Sequence, residues 1–159
     1  MLKKMNMTAL ARRDALRLAG AGAAAFVASS LLPNLALADA ASAAKAIRKI
    51  IGDKAPQQGR ITLEMPQIAE NGNTVPIAFE VESPMTEADY VKAVHIFSEG
   101  NPIPHVASIR FSPASGRARV ATRMRMAKTQ NVIALAEMSD GSVYMAKTEV
   151  KVTIGGCGG

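Results

Sequence analysis

Short runs of β-forming residues, separated by clusters of turn-forming residues, fill the chain from residue 60 to residue 154. The clearest turn signals are Asn71-Gly72-Asn73, Ser112-Pro113-Ala114-Ser115-Gly116 and Ser139-Asp140-Gly141-Ser142. About seven strands with turns every eight to twelve residues are typical of a β-sandwich. We therefore predict a mainly β chain with an immunoglobulin-like antiparallel β-sandwich over residues 60–154. An antibody-type core is excluded, because the chain has no tryptophan and a single cysteine.

A short helix is predicted before the sandwich, over residues 40–51, and residues 39–59 form this helix and a connector. Its apolar stripe consists of Ala43, Ala46, Ile47, Ile50 and Ile51. Ser42 is a candidate N-cap and Gly52 a stop. The stripe must pack against either the rest of the domain or a partner.

Residues 1–38 have the pattern of a cleavable signal peptide. Basic residues come first, an apolar run follows over residues 18–32, and Ala36-Leu37-Ala38 forms a small-x-small cleavage site. A membrane anchor is disfavoured because the apolar run is short and rich in Ala and Gly. Arg12-Arg13 resembles a twin-arginine signal, although Ala15 departs from that pattern, so the Sec route stays open. We expect a periplasmic protein with no membrane span after cleavage.

The charge of the chain belongs mostly to this leader. Cleavage removes five basic residues and one acidic residue, and the net charge falls from +6 to about +2. Nucleic-acid binding is therefore poorly supported. Arg117, Arg119, Arg123 and Arg125 are expected on one face of a strand, opposite Val120, Thr122, Met124 and Met126. They form either a solvated outer face or an electropositive strip that steers an acidic partner or an anionic substrate.

Catalytic and metal-binding patterns are weak. His95 is expected on an apolar strand face as a structural histidine with a backbone partner, and His105 in an exposed loop position. Two histidines without a third ligand at suitable spacing do not predict a metal site. The sequence shows no defensible Ser-His-Asp arrangement and no phosphate-binding loop, so we expect no cofactor, no metal and no catalytic residue.

Cys157 is the feature that these patterns leave unexplained. It lies in the C-terminal sequence Gly155-Gly156-Cys157-Gly158-Gly159. Glycines without Cβ atoms favour a mobile arm, and three residues from Ile154 give the thiol a reach of about 10 Å. The sequence shows no helix N-terminus or adjacent cation that would activate this thiol, and a base cannot be held against a thiol on a flexible tail. The pattern indicates a covalent attachment site, with its chemistry supplied by other proteins.

The chain resembles the SoxY family, the carrier subunits of the periplasmic sulfur-oxidising system. The resemblance rests on the following segments: Ile68-Ala69-Glu70-Asn71-Gly72 with Val75-Pro76, Asn101-Pro102-Ile103-Pro104, Thr122-Arg123-Met124-Arg125 with Thr129-Gln130, and the terminal five residues. It implies a heterodimer with SoxZ and a swinging arm whose Cys157 is conjugated to thiosulfate. It also implies three partner enzymes: a haem-containing conjugating enzyme, a sulfate-releasing hydrolase and, where present, a sulfane dehydrogenase.

Two other classes of function stay open from the residues alone. A secreted binding module could use Cys157 for an intermolecular disulfide, since an unpaired cysteine in an oxidising compartment invites it. A cytosolic-type sulfur carrier could instead use the terminal carboxylate of Gly158-Gly159 as a thiocarboxylate. The latter requires ATP-dependent activation, which conflicts with export.

Overall fold

A computed structural model describes the backbone of residues 35–156, with side chains from residue 40 onward. This part contains one α-helix, one 3₁₀ turn at Pro113–Ser115 and eight strands. The elements are α1 Leu35–Ile51, β1 Ile61–Glu64, β2 Ile68–Asn71, β3 Val75–Val81, β4 Val91–Ser98, β5 His105–Arg110, β6 Ala118–Met124, β7 Gln130–Met138 and β8 Val143–Ile154. Most of the predicted signal peptide lies outside the described residues, and its cleavage stays a prediction.

The strands form two sheets, and the predicted β-sandwich is confirmed. One sheet has three strands in the order β1-β3-β6, and the other has five in the order β2-β8-β7-β4-β5. Neighbouring strands are antiparallel with one exception, the parallel pair β2–β8. Two layers of this kind are stable because each sheet buries one apolar face against the other.

The main core lies between the sheets. On β3, Val75, Ile77, Phe79 and Val81 are buried at alternate positions, as the two-residue period of a strand requires. They share one cluster with β7 residues such as Val132 and Met138. Burial of each such side chain contributes about 1.5–3 kcal/mol. Phe79 also meets the edge of the Phe111 ring, with 6.5 Å between ring centroids.

Helix α1 covers the outer face of the five-stranded sheet. Ile51 is buried in a second cluster with Phe97, Ile133, Leu135 and Val143, and Ala46, Ile47 and Ile50 pack against this cluster. The apolar stripe predicted from the sequence therefore packs on its own domain. The helix begins at Leu35, before the predicted start at residue 40, so Ser42 lies inside it and the N-cap prediction is wrong.

One strand was not expected from the sequence. The turn predicted at Asn71-Gly72-Asn73 is present, but Ile68–Asn71 form β2, which pairs with the last residues of β8. The first residues of β8 are covered by Gln57, whose backbone nitrogen donates to Val143 O (2.8 Å) and whose carbonyl accepts from Met145 N (2.9 Å). Gln57 and β2 thus occupy the hydrogen-bonding groups along both halves of this edge of β8, which limits pairing with other chains.

Between residues 35 and 156, no helix has the length and apolar character that a bilayer crossing requires.

Candidate functional site

Strand β8 leads directly into the C-terminal glycine segment. Gly155 and Gly156 belong to the described residues, whereas Cys157, Gly158 and Gly159 lie outside them. The structure therefore locates the predicted attachment residue only through the residue that precedes it. Gly155 is exposed and Gly156 is buried.

Three backbone hydrogen bonds join this segment to two distant turns. Gly72 N donates to Ile154 O (2.8 Å), Met126 N donates to Gly72 O (2.8 Å), and Gly156 N donates to Met126 O (3.0 Å). We call residues 72, 126, 127 and 154–156 the arm root. The arm root connects the β2–β3 turn, the end of β6 and the chain terminus in one network.

The packing at the arm root leaves no space for side chains on its glycines. A Cβ atom on Gly156 would lie 2.7 Å from Gly72 O and 2.8 Å from Gly72 C, and one on Gly72 would lie 2.5 Å from Gly156 N. A Cβ atom on Gly155 would overlap the carbonyl oxygen of Ala127. Carbon atoms do not approach at such distances, so these positions require glycine. The sequence interpretation assigned Gly155 and Gly156 to arm flexibility, and the structure adds a steric role.

Asn101 holds the opposite side of the arm root in place. Its Nδ2 donates to Arg125 O (2.9 Å), and its Oδ1 accepts hydrogen bonds from Ala127 N (3.0 Å) and from Gln130 Nε2 (2.8 Å). Gln130 is buried, and its Oε1 accepts from Gly100 N at 2.6 Å. Because buried amides need such partners, this network fixes the backbone of residues 125–127.

Sequence reasoning did not assign a role to Asn101 or Gln130. Both occur in segments that resemble the SoxY family, and so do Gly72 and Arg125. The structure brings these separate segments together around the arm root. One sequence signal could have indicated these roles: the segments that resemble the SoxY family consist largely of polar residues and glycine instead of core residues.

The four arginines of the predicted strip are exposed. Arg117 and Arg119 pair with Glu80, at 2.6 Å and 3.9 Å between nitrogen and oxygen. Exposed pairs of this kind contribute about 0–1 kcal/mol. In the described part of the chain, no ion pair joins Arg123 or Arg125 to a carboxylate. This exposure agrees with a solvated face and with a steering strip.

His95 and His105 belong to a network of four hydrogen-bonded side chains on the outer face of the five-stranded sheet. Glu137 Oε1 lies 2.8 Å from His95 Nε2, and Ser108 Oγ lies 2.7 Å from His95 Nδ1 and 2.8 Å from His105 Nε2. A carboxylate oxygen accepts, so His95 Nε2 donates to Glu137, whereas the direction of the bonds between Ser108 and the two histidines depends on the histidine tautomers. His95 is 8% exposed. Its structural role agrees with expectation, but its partners are side chains instead of backbone groups.

This hydrogen-bond network could not be predicted from the sequence, because Ser108, His95 and Glu137 come from three different strands. A bulge between Val91 and Ala93 also shifts the register of β4, so Val91 faces the main core and does not share the His95 face. Among residues 40–156, no group of three His, Cys, Asp or Glu side chains could hold a metal ion.

The fold and site define a two-layer β protein whose last strand runs into a glycine-rich terminus with the chain's single cysteine. A family model described as "Sulfur oxidation protein SoxY" matches residues 47–157, so the match extends to Cys157. The chain belongs to the SoxY family. No curated protein sequence matches it.

Solved structures agree with this assignment. The sulfur carrier protein SoxY from Chlorobium limicola f thiosulfatophilum is 35% identical, with a TM-score of 0.61, and the match covers 72% of this chain and 99% of that chain. A superoxide reductase (neelaredoxin) from Ignicoccus hospitalis is 17% identical, with a TM-score of 0.54, over 59% of this chain and 80% of that chain. A putative superoxide reductase from Thermotoga maritima is 16% identical, with a TM-score of 0.51, over 61% of this chain and 93% of that chain. The last two similarities concern the fold alone.

Proposed function

We propose that this protein is a covalent carrier of sulfur intermediates, which it binds through the thiol of Cys157 and presents to partner enzymes. The main observation in support is that the SoxY family match extends to residue 157, the position of the chain's single cysteine. The relative from Chlorobium limicola is itself described as a sulfur carrier protein. The arm root supports the proposal because it fixes the backbone directly before the thiol.

The proposed loading step is oxidative. The Cys157 thiol loses its proton, a bond forms between its Sγ and the outer sulfur of thiosulfate, and the electron pair passes to a haem-containing enzyme. Hydrolysis then releases the terminal sulfonate as sulfate and leaves a persulfide on Cys157. A sulfane dehydrogenase, where present, oxidises the remaining sulfur. The partners carry out these reactions, and the carrier supplies the attachment atom and its glycine arm.

The proposal includes a SoxZ subunit as heterodimer partner and a periplasmic location reached through the twin-arginine route. The support is the sequence pattern of residues 1–38 together with membership of the SoxY family. In this arrangement Gly155, Gly156, Gly158 and Gly159 form the arm that carries Cys157 into narrow active sites. Glycine suits this task because it has no side chain to obstruct a channel.

Intact-mass spectrometry of the protein from thiosulfate-grown cells tests the proposal. We expect mass additions that correspond to thiosulfonate and sulfane groups and that a reductant removes. Cys157→Ser is the matched control, since it replaces only the sulfur atom and the chain contains no other thiol. It should carry no adduct and should abolish carriage.

Two results would overturn the carrier function. One is the absence of adducts on the wild-type protein under these growth conditions. The other is complete conversion in cells to a dimer linked through Cys157, which would instead indicate a binding module. Partial dimerisation does not distinguish the two, because any exposed thiol oxidises to some extent.

A further inference from the structure

Ser108, His95 and Glu137 are joined in sequence by two short hydrogen bonds. Ser108 Oγ lies 2.7 Å from His95 Nδ1, and His95 Nε2 lies 2.8 Å from Glu137 Oε1. A hydroxyl on one imidazole nitrogen and a carboxylate on the other is the arrangement of a nucleophilic serine, its base and the acid that orients the base. The proposed carrier function uses none of these three residues.

The register of the five-stranded sheet positions this arrangement. Ser108 on β5 is directly opposite His95 on β4. Glu137 on β7 is opposite Ala93, which shares a sheet face with His95 two residues further along β4. Side chains at such cross-strand positions are within reach of one another. All three groups therefore come from paired strands, which hold functional side chains more precisely than loops do.

Burial and protonation both suit His95 to act as a base. His95 is buried, whereas Ser108 is exposed on edge strand β5. Because Nε2 donates to Glu137, the neutral imidazole has no proton on Nδ1, and this nitrogen can accept from the Ser108 hydroxyl. An imidazole in this state removes a proton from a hydroxyl as general base.

We propose that Ser108 is an activated nucleophile that takes acyl groups from small activated esters, with His95 as general base and Glu137 as the positioning residue for His95. The Ser108 proton passes to His95 Nδ1, Oγ bonds to the carbonyl carbon, and the bond from this carbon to the leaving alcohol or phenol breaks as His95 returns the proton to the leaving oxygen. Water then hydrolyses the acyl-serine by the same route, which releases the carboxylic acid and restores the hydroxyl.

His105 brings a further polar group to the same hydroxyl. A bulge in the β4–β5 pairing, with Val106 as the additional residue, leaves His105 opposite Phe97. Bulges redirect side chains, and His105 Nε2 lies 2.8 Å from Ser108 Oγ. When ester adds to Ser108, the former carbonyl oxygen becomes negative and is bonded to the same carbon as Oγ. In the tautomer with a proton on Nε2, His105 can donate to this oxygen and stabilise it.

Labelling of the full-length chain with a fluorophosphonate probe tests the proposal. The probe forms a stable bond between Oγ and phosphorus and releases fluoride, so peptide mass spectrometry locates the reactive serine. Ser115 is the matched control within the chain, because it is also exposed and its recorded hydrogen bond is with Ser112 N (3.2 Å). We expect Ser108 to be labelled at least about 100-fold faster than Ser115, since a positioned base contributes about that much.

Turnover of p-nitrophenyl acetate tests acyl transfer itself. The measurement uses Cys157→Ser as its background, because a thiol also reacts with activated esters. Ser108→Ala in this background should remove the saturable release of p-nitrophenolate, and His95→Ala should slow labelling of Ser108 by about 100-fold.

Glu137→Gln provides a second variant, since His95→Ala also costs stability. It should slow labelling of Ser108 by at least about tenfold while circular dichroism shows a folded domain. The downfield proton NMR signal of His95 Nε2–H should move upfield, which reports the lost carboxylate directly.

Equal labelling of Ser108 and Ser115 would overturn the proposal. Full labelling of Ser108 in folded Glu137→Gln would overturn it as well, and so would p-nitrophenolate release that Ser108→Ala leaves unchanged. None of these measurements involves Cys157, so a failure of the carrier function in cells leaves their outcome unaffected.

Discussion

Asn101 and Arg125 come from different loops, and the side-chain nitrogen of Asn101 donates a hydrogen bond to the carbonyl oxygen of Arg125 across 2.9 Å. The carboxamide oxygen of the same side chain accepts from Ala127 N. Asn101 thus spans the backbone on both sides of Met126, which is fully buried. One amide side chain fixes the surface against which Gly155 and Gly156 lie.

Asn101→Ala should destabilise the protein by about 1–3 kcal/mol, because three hydrogen bonds are lost and the Gln130 amide loses a partner. Urea unfolding monitored by circular dichroism gives the free-energy change. Asn73→Ala is the control, since the hydrogen bond recorded for Asn73 uses only its backbone nitrogen. Equal stabilities of the two variants would contradict the proposed bracing role.

Ile51→Ala should cost about 2–5 kcal/mol of unfolding free energy, because Ile51 is only 7% exposed between helix α1 and the sheet. Ile103 is 70% exposed, and Ile103→Ala should change stability by less than about 0.5 kcal/mol. The comparison holds the chemical change constant and varies only burial. A small effect of Ile51→Ala would show that the helix does not pack on the domain in solution.

His95→Ala should destabilise the domain by roughly 1–3 kcal/mol, because it leaves Glu137 and Ser108 without their common partner. Glu137→Gln retains an oxygen that can accept from His95 Nε2 and should cost less. Equilibrium unfolding of both variants checks the order. A larger loss for Glu137→Gln than for His95→Ala would contradict the assigned direction of the hydrogen bonds.

The pKa of the Asp140 carboxyl is lowered below 3.8, chiefly because the Ser142 hydroxyl donates to it and also because the Ser142 backbone N–H does so. A lowered folded-state pKa stabilises the hairpin turn fully above pH 3.8, and this contribution is lost as the pH falls through the folded-state value. Carboxyl-detected NMR titration should give a midpoint below 3.8 for Asp140. In Ser142→Ala the midpoint should rise towards the ordinary value, and an unchanged midpoint would refute the assigned cause.

The sandwich could be predicted because strand periodicity and turn chemistry are local properties of the sequence. Val75–Val81 alternates as a half-buried strand should, and Ser139-Asp140-Gly141-Ser142 forms the expected hairpin connection. Strand β2 was missed because its four residues leave only Ala69 buried and carry little strand signal. Its partner, the end of β8, is distant in the chain, so nothing local indicates the pairing.

The candidate site could be predicted only in part. The isolation of Cys157 among glycines is a sequence fact, and the prediction of the attachment site rests on it. The contacts of Gly72 with Gly156 and the bracing by Asn101 depend on tertiary structure. The sequence placed Gly72 in a turn signal, and only the structure shows that close backbone approach excludes a side chain there.

The hydrogen bonds of the arm root join the last described residues to turns much earlier in the chain. They can form only after both sheets have assembled, since β6 and β8 belong to different layers. An incompletely folded or truncated copy therefore has no ordered base for its terminal cysteine. Under the proposed carrier function, a loading enzyme that recognises this base would act only on fully folded molecules.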